Sequence, residues 1–424
     1  LDIVSLLAQS PGLLKLDLLC KGARVRDKEL LLSSTKPMIR TRAGLGSGVD
    51  IILPSGFYIN VPIMEPFCLK SPYEIVNRRS EWFLEHENGP SFLISLPPDP
   101  RWYNQMTSSG KPMSRIGVLQ GTYLAIYPAE ICNNWTSNPK CNCRFCSVGL
   151  NLGEEEEISK SVSDVVEVAI AAQEESKTTY IHFNTGYYRD EDYFGRLAPY
   201  IEAVKNETGM LIGVQIPPAK DLRDYDQFRR SGVNQISFCF EFWNLDILLK
   251  MCPGKATRVG LDRYLEAIEY CADIFDTANG EIIAGIEPID STIEAIEWIT
   301  GAGAIPTVCV FRPLLGSDAS DIPSPATEDM IPIFEALYDK CIEHDLPFGI
   351  APNIKVGMVI TPEECATLSP DRSFNFWKTV KRLAMAASFR TLFYVKMRRI
   401  FKRRRNAHIL NVPGSYNGKV KTNR

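Results

Sequence analysis

From residue 122 onward, short apolar runs alternate with longer segments in which apolar residues recur every three to four positions. The runs predict strands at 122–128, 180–183, 210–216, 235–241, 281–285 and 305–311. The periodic segments predict helices at 158–176, 191–207, 221–231, 261–275, 290–302 and 327–345. Apolar strands separated by amphipathic helices are the mark of parallel βαβ units. Repeated in this order they predict an α/β fold with a full or partial (β/α) barrel core, and a short last strand is expected at Phe348–Ala351. Before residue 120 the pattern differs. Short strand-like runs are punctuated by Pro and Gly, as in Leu53–Phe57 and Leu96–Pro100, and predict a mixed α+β region. The expected organisation is an N-terminal strand-rich region at 1–119, a barrel core at 120–322, and a C-terminal helical extension with a basic tail at 323–424.

Composition narrows this picture only slightly. The 424 residues are 45% hydrophobic and 23% charged, ordinary values for a globular protein. The net charge of −4 gives no overall pull toward nucleic acid or anionic membrane. No apolar run reaches the ~18–20 residues of a membrane span. The N-terminal Leu1-Asp-Ile-Val has no basic leader and no initiator Met, so the chain is read as trimmed. Eight of the twelve cysteines are scattered singly, which argues against a disulfide framework and for a reducing, cytoplasmic setting. The Gly-rich piece Ala43–Gly48 lacks the Lys-Ser/Thr ending of a P-loop and is expected to be a turn.

The other four cysteines fall within fifteen residues, Cys132, Cys141, Cys143 and Cys146, directly after the first predicted strand. Barrel chemistry sits on loops after strands, and clustered thiolates there are placed to hold a metal or an iron–sulfur cluster. Three thiolates on one cluster leave one iron open to a small molecule. A zinc knot using all four is the competing reading, although Cys141 and Cys143, one residue apart, make an awkward tetrahedral pair.

Without seven residues of its loop, the stretch Cys132-Asn…Asn-Cys143-Arg-Phe-Cys146 becomes Cys-x3-Cys-x2-Cys. With the strand–helix order over about 120–320, it resembles the radical S-adenosylmethionine (radical SAM) superfamily, in the branch of biotin synthase, the [FeFe]-hydrogenase maturase and tryptophan lyase. The spacing here is Cys-x10-Cys-x2-Cys. The resemblance implies a [4Fe–4S] cluster on Cys132, Cys143 and Cys146, with Cys141 the alternative to Cys132, and Phe145 beside the bound SAM. It implies SAM contacts at Thr185 and Gly186 in Asn184-Thr-Gly-Tyr187, at Glu241 closing the fourth strand, at Arg263 or Arg258, and at Gly285 and Glu287 in Gly-Ile-Glu-Pro288. Phe311-Arg312-Pro resembles a further segment of that branch, and His182, Tyr187 and Arg312 are the substrate or catalytic candidates. The implied activity is reductive cleavage of SAM to a 5′-deoxyadenosyl radical, used for rearrangement, C–C cleavage or ring formation on a small organic substrate, with an external one-electron reductant of ferredoxin or flavodoxin type.

A second class stays open: a non-catalytic iron–sulfur or zinc scaffold, or an electron-transfer protein, that binds a partner through its tail. Seven of the ten residues 396–405 are Lys or Arg. The segment 389–405 reads as a solvated helix end, as a helix lying on an anionic membrane surface, or, less well, as a nucleic-acid contact, because Phe393, Met397 and Ile400 share one helical face.

Overall fold

The computed structural model describes residues 3–26, 40–41, 46–346 and 354–368, with scattered helical positions between 377 and 395. The strand expected at Phe348–Ala351, residues 43–45 of the Gly-rich piece and nearly all of the segment 389–405 lie outside the described residues.

Six parallel strands form the core: β1 (Tyr123–Ile126), β2 (Tyr180–Asn184), β3 (Leu211–Gln215), β4 (Gln235–Glu241), β5 (Thr277–Ala284) and β6 (Ile305–Val310). They lie side by side in chain order, with the strand Val118–Gln120 antiparallel on the outer edge of β1. The sheet curls into a half barrel rather than closing. Helices α1 (Val162–Ser176), α2 (Tyr193–Thr208), α3 (Asp224–Arg230), α4 (Leu261–Ile274), α5 (Ile289–Gly301) and α6 (Thr327–Glu343) follow the strands. Helix α6 packs on α5 and β6, completing the sixth unit. The start of α1 shows why the chain turns helical there: Ser161 Oγ accepts from Asp164 N, and Asp164 returns the bond to Ser161 N, a reciprocal capping box.

Residues on alternate sides of each strand have opposite roles. Ile181, Phe183, Ile236, Phe238 and Val308 are fully buried in the apolar core. Their neighbours face the lumen and bond from strand to strand along its wall: Tyr180 Oη donates to Gln235 Oε1 at 2.7 Å, Gln235 Nε2 to Asn279 Oδ1 at 2.9 Å, and Asn279 Nδ2 to Thr307 Oγ1 at 3.1 Å. A closed barrel fills its interior with bulky branched side chains; this one is lined with polar and aromatic groups. Strand β5 begins four residues before the apolar run that predicts it. Thr277-Ala-Asn-Gly280 has poor strand propensity, but it pairs in register with Gln235–Phe238, and Ile299 lies directly over Gly280.

The N-terminal region is indeed mixed. Strands Tyr73–Arg78, Glu81–His86 and Ser91–Ile94 form a meander, and Gly46–Ile52 with Tyr58–Pro62 form a hairpin. The hairpin reaches across the open side of the half barrel. Arg312, just past β6, donates to Asn60 O at 3.0 Å and Asn60 Oδ1 at 3.2 Å. Asn60 N donates to Gly357 O at 2.9 Å, and Lys355 O accepts from Thr122 N at the start of β1. The helix Pro11–Lys21 is buried on nearly all sides, polar residues included. Lys15 Nζ, fully buried, bonds Glu364 at 2.8 Å and Val356 O at 2.9 Å, while Asp17 accepts from Tyr73 Oη and Thr327 Oγ1. Among the described residues no helix is long and apolar enough to cross a membrane.

Candidate active site at the mouth of the half barrel

The cysteine segment leaves the C-terminal end of β1 and is pinned at three places. Asn133 N donates to Tyr187 O at 2.8 Å in the turn after β2. After β4, Met251 O accepts from Arg144 N at 2.8 Å and Gly254 N donates to Cys141 O at 2.9 Å. After β6, Asp318 O accepts from Arg144 Nη2 at 2.7 Å, and Asp318 Oδ2 from Asn142 Nδ2 at 3.2 Å. The loop is thereby held over an open cleft of about 790 Å³.

Cys132, Cys143 and Cys146 all line that cleft. Burial pushes the Cys132 thiol up and that of Cys146 up to about 12. Cys143 is different: a hydrogen bond from the buried Cys252 thiol, helped by Lys255, lowers it against the effect of burial. N–H groups point at the other sulfurs, Tyr187 N to Cys132 Sγ at 3.3 Å and Val148 N to Cys146 Sγ at 3.5 Å. The Trp135 indole N–H, buried without a partner of good hydrogen-bond geometry, stands close enough to lower Cys146. Cys141 does not line the cleft. Its thiol lies 3.1 Å from Ser137 Oγ and 3.7 Å from Asn134 Oδ1.

This donor set fits a multi-iron cluster better than one ion. A single zinc needs every donor within about 2.0–2.3 Å of one point, and among the described residues no such group of His, Cys, Asp or Glu occurs. A [4Fe–4S] cluster takes each thiolate on a different iron, so its sulfurs stand apart, and N–H groups aimed at them tune its potential.

Phe145, Thr185, Gly186, Tyr187 and Glu241 also line the cleft. Gly186 is needed because a Cβ there would stand 2.4 Å from Cys132 Cβ. Glu241 sits at a register shift between β4 and β5 with φ +73°, a left-handed conformation rare outside glycine. The bulge turns its carboxylate to Lys255, 2.5 Å away. Lys255 also donates to Cys239 O. Burial works against the Lys255 ammonium, but Glu241, with Tyr264 and the nearby thiols, raises its pKa well above the ordinary lysine value.

Lys255 is one of several cleft residues, with Trp135, Gln215, Cys239 and Tyr264, that are not among the candidates from sequence. The segment after Cys252 is a short helix, Pro253–Arg258, that turns Lys255 inward. Pro253 at the first helical position was the available signal.

The remaining candidates lie outside the cleft lining. Arg263 bonds Glu191 at 2.8 Å and Pro218 O at 3.0 Å. Arg258 stands one layer behind, donating to Asn134 Oδ1 at 2.9 Å with its guanidinium over the Tyr187 ring. Glu287 is buried and accepts from Trp243 N and Asn244 N, both at 2.9 Å, fixing the turn after β4. Gly285 (φ +104°) lies against Pro325. Arg312 is the clamp on the hairpin. His182 lies deeper in the lumen, stacked with Tyr180, and burial lowers its pKa to about 4.

No protein-family model matches the chain. A bacteriochlorophyllide c C-7(1)-hydroxylase of Chlorobaculum limnaeum is 25% identical over 275 residues, which cover 59% of this chain and 67% of that protein. Among solved structures, methylornithine synthase matches with a TM-score of 0.40 and 18% identity, over 51% of this chain and 62% of that one, so the chain spans less than two thirds of it. A radical SAM methyltransferase from Sphaerobacter thermophilus matches with a TM-score of 0.40 and 11% identity, over 63% of this chain and 75% of that one. The chain is thus similar in sequence to that hydroxylase, and its neighbours among solved structures include a radical SAM methyltransferase.

Proposed function

We propose that the protein is a radical SAM enzyme whose [4Fe–4S] cluster is held by Cys132, Cys143 and Cys146. The observation that carries this reading is the meeting of those three thiols with the Gly186–Tyr187 turn and the Glu241–Lys255 pair in one cleft, at the C-terminal mouth of six parallel strands. When bound, the reduced cluster and SAM supply a 5′-deoxyadenosyl radical. The chain's own groups do the rest. Tyr187 N and Val148 N hold the sulfurs of Cys132 and Cys146 and stabilise their thiolate forms. Glu241 offers a carboxylate to an ammonium and Lys255 offers an ammonium to a carboxylate, so the pair matches the two charged ends of an amino acid. Phe145, packed edge-on against Phe242, helps to close the cleft to water.

The substrate is a small organic molecule taken into the lumen below. Rearrangement, C–C cleavage and ring formation fit the absence of a second tight cysteine motif, and the bacteriochlorophyllide relative adds hydroxylation to these outcomes. A one-electron donor is required.

The test is anaerobic. The protein is reconstituted with iron and sulfide, reduced with dithionite and given SAM, and 5′-deoxyadenosine is measured by mass spectrometry. The reading expects product that disappears in Cys143→Ala and Cys146→Ala. A protein that carries an intact cluster yet neither binds nor cleaves SAM sinks it.

A further inference from the structure

Below the cleft, the lumen holds groups that the cofactor reading does not use. Glu281, on β5, is half-buried in the wall of the lumen; its Oε2 accepts from Gln215 Nε2 at 2.6 Å and from the Cys239 thiol at 3.0 Å, and the Ser237 side chain also hydrogen-bonds its carboxyl. Burial raises its carboxyl pKa. Among the described residues it has no ion-pair partner, and the nearest cation acting on it, Lys255, is already paired with Glu241. Buried carboxylates are ordinarily paired. The six strands carry no Lys or Arg at all, so nothing in the lumen wall offers a positive charge.

Beside Glu281 is an aromatic wall. Tyr180 and His182 stack with centroids 5.9 Å apart and planes 27° apart, and Tyr123 meets His182 edge-on at 6.3 Å. His182, kept neutral by burial, has no hydrogen-bond partner for its ring nitrogens among the described residues. Higher up, the Asn184 side-chain oxygen lines the cleft, buried and without a partner. A carboxyl without a cation beside a flat aromatic wall, with an unpartnered acceptor above them at the cleft, describes a site for a ligand of complementary chemistry.

We infer that the lumen binds a cationic nitrogen, a primary amine or amidinium, carried on a flat or apolar body, with Glu281 as its counter-charge and the Tyr123, Tyr180 and His182 rings against the body. A ligand that meets the wall with a carboxylate or phosphate is rejected, because it would face Glu281 with no cation to receive it. The inference takes from the proposed function only that the lumen is the substrate side of the cleft; the binding itself needs neither cluster nor SAM.

The experiment is calorimetric titration of the full chain, both cluster-free and anaerobically reconstituted, with benzylamine, benzyl alcohol and benzoate and without SAM. Benzylamine is expected to bind saturably, benzyl alcohol more weakly and benzoate not at all. Glu281→Gln is expected to weaken benzylamine about tenfold or more, the loss of one charged hydrogen bond. Benzoate binding as tightly as benzylamine, absence of saturable benzylamine binding, or wild-type affinity in Glu281→Gln each overturns the inference. If Glu281→Gln does not fold, the wild-type order of benzylamine over benzoate decides it. Benzylamine binding without 5′-deoxyadenosine formation would remove the radical reading and leave this one; SAM cleavage without benzylamine binding would do the reverse.

Discussion

Lys255 and Glu241 show how much a single pair decides at the mouth of the barrel. Their side chains are only 16% and 12% exposed, so each is the other's main compensation for lost water. Removing one partner strands the other. Lys255→Met is expected to destabilise the cluster-free protein by about 3–5 kcal/mol, read from urea unfolding, and adding Glu241→Gln should recover a large part of that loss. Wild-type stability in the single variant would mean that the pair is solvated. Charges elsewhere are spent on architecture: Arg263 on Glu191, Arg258 on Asn134, Glu287 on the turn after β4 and Arg312 on the hairpin. A sequence shows that a guanidinium is present, and which carboxylate or carbonyl it meets is a matter of distance in space.

At the scale of elements, the turn after β2 and the cysteine loop form one unit. Gly186 lies so close to Cys132 that any side chain must push the loop away. Gly186→Ala is therefore expected to cut bound iron several-fold after reconstitution, with helix content by circular dichroism unchanged. Full iron loading in that variant would show that the loop yields without cost. Glu241 has the same kind of origin: a bulge in β4 against β5 re-aims its side chain. Much of this level was legible. The six strands and six helices appear at the expected places because apolar runs and helical periods report directly on burial. The early start of β5 was not legible, since its pairing comes from β4 and not from its own residues.

Across the whole molecule, the N-terminal region and the segment 354–368 bind the half barrel to itself. The helix Pro11–Lys21 carries Lys15 into a fully buried pair with Glu364, almost the length of the described chain away. Lys15→Met is expected to cost about 3–5 kcal/mol in urea unfolding, and Lys15→Met with Glu364→Leu together should restore most of it. An unchanged midpoint in the single variant would show that this helix adds nothing to the barrel's stability. The hairpin held by Arg312 lies across the open side of the sheet, leaving the cleft at the strand ends as a way into the lumen.

By itself the sequence determined the local elements, the parallel order of the core and the loop that carries the thiols, because periodicity and strand-end position are properties of consecutive residues. Only the tertiary structure decided which charges meet. It separated Cys141 from the cleft, brought Lys255 to Glu241, placed Arg263 and Glu287 in supporting bonds and left Glu281 facing the lumen without a cation. Those outcomes depend on how strands and loops far apart in the chain are set side by side, and burial then selects, among many charged residues, the few that must be paired.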